Sequence, residues 1–187
     1  MAVFASGTGS NAQKIIDHFS DPSKNAVVAL IVCNKPEAGV LQIAANEDIP
    51  SLIIEKERFF RGDAYLPELN KHEIDFIVLA GFLWKIPQAL IDAYPLRIVN
   101  IHPALLPKYG GKGMYGSFVH EAVVNAKDAE SGITIHYVDE HYDNGDIIFQ
   151  AKCIVDEHDD AVSLSKKIHA LEHQYYPVII EEVINKL

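Results

Sequence analysis

A chain of 187 residues with 49% hydrophobic and 22% charged residues is long and apolar enough to bury about 70% of its unfolded surface in one domain, which excludes intrinsic disorder. Acidic residues outnumber basic ones 26 to 16, for a net charge of −10. With no basic cluster beyond Lys166-Lys167, that balance argues against nucleic acid or a membrane surface as partner, because neutralising phosphates takes grouped Lys and Arg.

Residues 1–5 are a short apolar run ended by Ser6-Gly7-Thr8-Gly9-Ser10, after which Ala12, Ile15, Ile16 and Phe19 recur at helical spacing. The reading is strand, tight turn, helix. Residues 26–32 (AVVALIV) form a continuous apolar strand, 40–46 a helix, 51–54 a short strand, and 64–71 a helix interrupted early by Pro67. Residues 75–80 (DFIVLA) and 96–101 (LRIVNI) are further buried strands, separated by a helix over 87–93. This alternation implies a mostly parallel sheet with helices on both faces. The stretch 102–116 then holds two prolines and four glycines and no regular element, and long loops inside compact domains are usually functional. A helix over 117–126 follows, then strands over 132–138 and 146–155, close enough to pair as an antiparallel hairpin around the loop 139–145. Asp159 or Asp160 caps a terminal helix whose Leu164, Ile168, Leu171 and Tyr175 run on toward Ile184, with Pro177 expected to kink or end it. No repeat or linker divides the chain.

Cys33 and Cys153 are far apart with no CxxC and lie in apolar runs, as two reduced, packed thiols would. The N-terminus enters an apolar strand with no basic segment before it, and no apolar stretch reaches about eighteen residues, so a cytoplasmic location is expected.

Four segments bear candidate chemistry. The strand-to-helix turn Gly7, Thr8, Gly9, Ser10 and Asn11 would point backbone amides and a helix dipole at an anion. It also fits G-x-G-x-x-A, but a dinucleotide site wants an acidic residue after the second strand, where Cys33-Asn34-Lys35 stands. A tight turn with Asn11 capping the helix is the plainer alternative. Asn100-Ile101-His102-Pro103 closes a central strand, where alternation puts Asn100 and His102 on one face. An amide and an imidazole so placed suit an oxyanion and a proton in acyl transfer. Asp143-Asn144-Gly145 is either a catalytic carboxylate or ordinary turn chemistry. His136 shares the alternation of Thr134 and is a site residue or a satisfied sheet histidine, while His120 has no partner nameable from sequence. Finally, His169, Glu172 and His173 match H-x-x-E-H, the inverted zinc-peptidase motif, although a third protein ligand is not evident. Phe59-Phe60-Arg61 and Leu83-Trp84-Lys85 supply aromatics in exposed loops beside single cations.

With these pieces in order, the whole chain resembles the phosphoribosylglycinamide formyltransferases. The carrying segments are ASGTGSNAQ at 5–13, LAGFLWKI at 79–86, NIHPALLPKYGG at 100–111 and GITIHYVDEHYDNGDII at 132–148. The resemblance implies a single-domain, Rossmann-like three-layer α/β sandwich, with a mostly parallel sheet of about seven strands and an antiparallel strand near the C-terminus. Residues 1–101 would form the ribonucleotide-binding half, and 102–187 the catalytic loop, folate-binding hairpin and terminal helix. It also implies direct passage of the formyl group from 10-formyltetrahydrofolate, the cosubstrate, to the glycinamide amine, with no metal. The catalytic residues fall on Asn100, His102 and Asp143, with His102 held protonated by Asp143. Ribonucleotide contacts fall on Gly7, Thr8, Gly9, Ser10, Asn11, Pro103 and Glu172. Folate contacts fall on Phe82, Leu83, Trp84, Lys85, Ile86, Asn100, Val138, Asp139, Glu140 and Asp143, with Arg61 a further anion contact.

Related formyltransferases share the Asn-His-Asp constellation but act on methionyl-tRNA or amino-sugar nucleotides. The tRNA-acting kind usually adds a basic carboxyl-terminal domain, and the hydrolase kind an amino-terminal regulatory one. An amino-sugar nucleotide acceptor, a zinc peptidase using His169, Glu172 and His173, and a silent nucleotide-binding module remain the alternatives. The expected partners are small molecules, with the protein a monomer or weak homodimer.

Overall fold

All four residues of β1 (Ala2–Ala5) are buried, Val3 and Ala5 in one layer of core and Ala2 and Phe4 in the other. A strand covered on both faces belongs in mid-sheet. The computed structural model, which describes residues 1–61 and 65–187, places it there. The other strands are β2 (Leu30–Cys33), β3 (Ser51–Ile53), β4 (Ile77–Leu79), β5 (Ile98–His102), β6 (Glu130–Tyr137) and β7 (Ile147–Ile154), in the spatial order β3-β2-β1-β4-β5-β6-β7. Strands β1 to β5 are mutually parallel, and β6 runs against both of its neighbours.

Helices α1 (Ser10–Phe19), α2 (Gly39–Asn46) and α7 (Ala161–Ile184) share one core with Val3, Ile31, Val78 and Val99. Helices α3 (Lys56–Phe59), α4 (Leu66–Lys71) and α5 (Gln88–Ala93) share the other with Phe4, Leu30, Ile77 and Ile98. Helix α6 (Ser117–Ala126) lies against α7. On β5 the side chains alternate: Val99 and Ile101 join the first core, leaving Asn100 and His102 on the face of Ile98. There the 103–116 segment, rather than a helix, lies against the sheet. Thr134 Oγ1 donates to the Ala104 carbonyl at 2.7 Å and accepts the Leu106 amide at 3.0 Å, while Gln150 Nε2 donates to the Leu106 carbonyl at 3.1 Å.

Several boundaries differ from the sequence expectations. The strand expected over 26–32 starts only at Leu30, because β1 begins its ladder at Ala2 opposite Leu30, and Val27 points to solvent. In α4, Pro67 sits in the first turn, where a missing N–H costs little, so it opens the helix instead of interrupting it. Ala64, where that helix was expected to begin, lies outside the described residues. Pro177 does not end α7, which continues to Ile184. An interior proline costs about 3 kcal/mol. Buried Tyr176, Ile179, Ile180 and Val183 flank it, each contributing roughly 1.5–3 kcal/mol, which outweighs that cost. Asp160 is the N-cap, in a reciprocal box with Ser163. The far end of α7 is tied to α1 through Glu181, which accepts from Lys24 Nζ at 2.9 Å and lies 2.7 Å from His18 Nε2.

Candidate active site

The strand order reverses beside β1, with β2 and β3 on one side and β4 to β7 on the other. Such a switch point opens a crevice at the carboxyl ends of the strands. A cleft of about 560 Å³ occupies that crevice. It is lined by Gly7, Thr8, Gly9, Ser10 and Asn11, by Phe82, Leu83, Trp84, Lys85 and Ile86, by Asn100, His102 and Pro103, by Val138, Asp139 and Asp143, and by Glu172. Two expected contacts stand apart from it: Glu140 does not line the cleft, and Arg61 is exposed beside Glu57 at 3.8 Å.

At one end is the β1–α1 turn. Gly9 has φ +87°, and a Cβ there would lie 2.9 Å from the Val40 backbone and 2.8 Å from the Ile43 side chain. Only glycine lets α2 approach while the amino end of α1 opens into the cleft. Asn11 does not cap the helix. Its Nδ2 donates to Glu172 Oε2 at 2.8 Å, and its Oδ1 is buried without a partner. Burial pushes the Glu172 carboxyl up, against the Asn11 hydrogen bond and the His169 charge.

At the other end the three catalytic candidates converge. His102 Nδ1 is 3.5 Å from Asp143 Oδ2, and its Nε2 donates to the Tyr109 carbonyl at 2.8 Å. The carbonyl can only accept, so Nε2 keeps its proton in the neutral ring and Nδ1 faces the carboxylate. Directly across the ladder, His136 Nε2 lies 3.0 Å from Asn100 Nδ2 and 3.7 Å from Asp143 Oδ1, and its Nδ1 donates to the Tyr137 carbonyl at 2.7 Å. The Gly111 amide donates to Asp143 Oδ2 at 2.9 Å. Asp143 itself has φ +53°, a left-handed conformation uncommon outside glycine and found where surrounding contacts over-determine it. Gly145 follows because a Cβ there would meet the Tyr137 carbonyl oxygen at 2.0 Å. The turn residues thus serve both readings of Asp143-Asn144-Gly145.

Burial alone would raise the Asp143 carboxyl, but the His136 side chain, His102 and the Gly111 amide outweigh it and hold it below its ordinary value. His102 behaves differently from the sequence expectation of a standing charge. Burial pushes the imidazole below its ordinary value, and Asp143 and the Tyr109 carbonyl only partly offset this.

The cleft wall at residues 82–86 rests on aromatic packing. Phe82 lies edge-on to Phe4 and Phe59, with centroids 5.3 and 5.7 Å apart, and Trp84 leans on Phe59 at 5.7 Å. Phe59 is therefore a core residue of α3 and not the exposed-loop aromatic expected from sequence, whereas Phe60 is exposed. Ser6 Oγ accepts the Leu83 amide at 3.0 Å, tying this wall to the β1–α1 turn.

Sequence reasoning assigned no task to several lining residues. Lys112, Met114 and Tyr115 enter from the glycine-rich loop, His120 from α6, and His141 and Tyr142 from the β6–β7 loop. The glycine density of 110–116 was the available signal. His120 is buried with Nδ1 unpartnered, and burial lowers its proton affinity.

The H-x-x-E-H helix has another use. Glu172 is engaged by Asn11, His169 Nε2 is 4.0 Å from Glu172 Oε2, and the rings of His169 and His173 stack with centroids 6.2 Å apart. Among the described residues, the group of three whose ligating atoms lie within 4.8 Å of one another is Asp139, Glu140 and His141, largely exposed in a loop. No helix of the described residues is long and apolar enough to cross a membrane. Both cysteines are free thiols.

Residues 1–180 match the formyl transferase family model. Phosphoribosylglycinamide formyltransferase from Bacillus subtilis is 39% identical over 187 residues, covering 98% of this chain and 93% of its own. The chloroplastic phosphoribosylglycinamide formyltransferase of Arabidopsis thaliana is 43% identical over 185 residues, and the alignment spans 96% of this chain but 63% of that longer protein. The crystal structure of phosphoribosylglycinamide formyltransferase from Bacillus halodurans superposes with a TM-score of 0.89 at 36% identity, covering 99% of this chain and 95% of that one. Sequence, sheet order and cleft therefore agree that this chain belongs to the formyl transferase family, among its phosphoribosylglycinamide formyltransferases.

Proposed function

We propose that the protein transfers the formyl group of 10-formyltetrahydrofolate to the amine of 5'-phosphoribosylglycinamide, giving the N-formyl product and tetrahydrofolate for purine synthesis. The observation that carries this reading is the meeting of Asn100, His102 and Asp143 at one end of a cleft whose other end is a helix amino terminus. The donor fits the residues present: an apolar wall at Phe82, Trp84 and Val138 suits a flat heterocycle, Asp139 and backbone groups of its loop suit the polar edge, and Lys85 suits an anionic tail. When bound, it supplies an activated formyl carbon. The ribonucleotide phosphate sits on the amides of residues 7–11, and the orphan Asn11 Oδ1 and the Glu172 carboxylate accept from its hydroxyl or amide groups.

The chain's own groups then act in order. Asn100 donates to the formyl oxygen as the amine adds to carbon, its amide held in place by His136. As negative charge develops there, His102 faces two anions, that oxygen and Asp143. This reverses the effect of burial and favours the charged ring, whose hydrogen bonds are the stronger kind. Asp143 relays the amine's surplus proton, directly or through water, to the folate nitrogen that departs as its bond to the formyl carbon breaks. The new amide and the free folate amine account for every atom, and no enzyme-bound intermediate is required.

The two halves of one domain divide this work, residues 1–101 holding the ribonucleotide and 102–187 supplying the acid–base groups and the folate loop. The same reading makes the protein a cytoplasmic monomer or weak homodimer acting on small molecules without metal. Mixing pure protein with 10-formyltetrahydrofolate and the ribonucleotide tests it by absorbance. Folate release that depends on the ribonucleotide is expected, and its absence, or equal release with an amino-sugar nucleotide, would overturn the assignment.

A further inference from the structure

We propose that Asp128, which lies outside the cleft, is a positioning residue that orients His102 through the turn at Tyr109. The proposal rests on the formyl-transfer reading above. Asp128 stands just beyond α6 on a second cavity, behind the catalytic loop, lined also by Leu105, Lys108, Tyr109, Glu130 and Ser131. One oxygen of its carboxylate accepts from Lys108 Nζ at 3.0 Å and from the Tyr109 hydroxyl at 2.9 Å. It therefore grips two consecutive side chains of the loop at once.

That grip matters because Tyr109 has φ +56°, a left-handed conformation that is a genuine outlier for a bulky side chain and persists only where the surroundings impose it. In this conformation the Tyr109 carbonyl turns toward β5 and accepts from His102 Nε2 at 2.8 Å, and two residues later the Gly111 amide donates to Asp143 Oδ2 at 2.9 Å. A single turn thus touches both ionisable members of the catalytic trio. The start of the loop is held separately, by Thr134 and Gln150 at residues 104–106. Removing the Asp128 carboxylate would loosen residues 108–111 and leave the remainder of the loop anchored.

Loosening this turn has a defined electrostatic consequence. His102 is faced by Asp143 from the β6–β7 loop, by His136 from β6 and by His120 from α6, and it is buried. The Tyr109 carbonyl is one of the two groups that favour its charged form. Without that acceptor, the imidazole gives up its proton at lower pH, and its ring is free to rotate away from Asp143. Asp128 itself is faced by Lys108 and Tyr109, which hold its carboxyl below the ordinary value, so it is ionised throughout the working range.

The test compares Asp128→Ala, Asp128→Asn and Tyr109→Phe with the wild-type enzyme, measuring kcat, both KM values and the pH–rate profile. His102 is also followed by NMR titration without substrate, a readout independent of turnover. Loss of one hydrogen bond to a charged group predicts a fall in kcat of about tenfold for Asp128→Ala. Both KM values stay near wild type, the alkaline limb moves to lower pH, and the His102 midpoint falls. Asp128→Asn, which keeps an acceptor oxygen, recovers most of the rate, and Tyr109→Phe lies between. Wild-type turnover reports separately on the function itself. An active wild type beside an Asp128→Ala variant with unchanged kcat, limb and His102 midpoint would overturn the proposal. So would a variant that loses only thermal stability. Should Asp128→Ala fail to fold, an unchanged kcat and an unshifted His102 titration in Tyr109→Phe, which removes the hydroxyl bonded to Asp128, would have the same force.

Discussion

Replacing Asp143 by Asn separates the electrostatic task of this residue from its structural one. The variant keeps an oxygen to accept the Gly111 amide, and Asn tolerates the left-handed backbone at φ +53°. Because the Gly111 amide and His102 Nδ1 both face Oδ2, the Asn oxygen takes that position and its NH2 takes the place of Oδ1, beside His136 Nε2. The substitution thus removes the charge that favours the protonated His102 ring while keeping the Gly111 hydrogen bond. At 3.5 Å and an effective dielectric near 20, a unit charge pair is worth at most roughly 5 kcal/mol. Loss of one oxyanion-hole donor typically costs about 2.7–4 kcal/mol, or 10²–10³ in turnover. The expected fall in kcat is therefore about 10²–10³ or more, since the proton relay goes as well, with unfolding free energy at pH 7 changed by about 1 kcal/mol or less. In the wild type the Asp143 carboxyl is depressed on folding. It therefore contributes stability above its unfolded pKa, and this is lost as pH falls through the lower folded one. The variant lacks that acid-side dependence. Initial rates of folate release, thermal unfolding between pH 3 and 8, and His102 titration check each part. A folded Asp143→Asn enzyme within about fivefold of wild-type kcat would refute the reasoning, since among the described residues no other carboxylate is in contact with His102.

Gly9→Ala combines a left-handed Cβ, costing about 1–2 kcal/mol, with overpacking against α2, costing about 1–3 kcal/mol. It should therefore destabilise by roughly 2–5 kcal/mol in urea titration and raise the KM of the ribonucleotide more than that of the folate; unchanged stability would show that α2 is free to shift. Glu172→Gln keeps its bond to Asn11 but loses the charge, and a rise of about fivefold to tenfold in ribonucleotide KM is expected. A fall in kcat alone would place Glu172 with the chemistry instead. Lys167, raised to about 12, bridges Asp156 and Asp159, the latter lowered to about 2. Because the acid is depressed and the base raised on folding, Lys167→Met should lower Tm across the plateau between the unfolded values of 3.8 and 10.5. The difference from wild type should shrink as pH falls toward 2; a constant difference down to that pH would remove the pair from the account.

Much of this architecture was visible in the sequence because it follows from short-range rules. Apolar runs with a tight glycine turn place β1, α1 and the turn between them, and alternation along 98–102 puts Asn100 and His102 side by side. What sequence could not show depends on partners distant in the chain. His136 is a site residue only because the β5–β6 register sets it opposite Asn100, and Phe59 is core only because Phe82 and Trp84 come to meet it. The charge of His102 lies beyond local sequence rules for the same reason. Its carboxylate neighbour is legible in a motif, whereas the burial that opposes it is a property of the assembled loop. Pro177 shows the converse case, a strong local rule overruled by tertiary packing.

The terminal helix joins parts of the molecule that are made at very different times. Its Glu172 engages Asn11, 161 residues earlier, and its Tyr176 hydroxyl donates to the carbonyls of Leu79 on β4 and Val99 on β5. A chain emerging from the ribosome therefore presents the β1–α1 turn well before α7, with Asn100 and His102 between them. The Glu172 carboxylate that engages Asn11 comes after both. Until α7 docks, the cleft lacks Glu172 and the strands beside it lack the Tyr176 tie, so its lining is complete only once this helix has folded against segments made long before it.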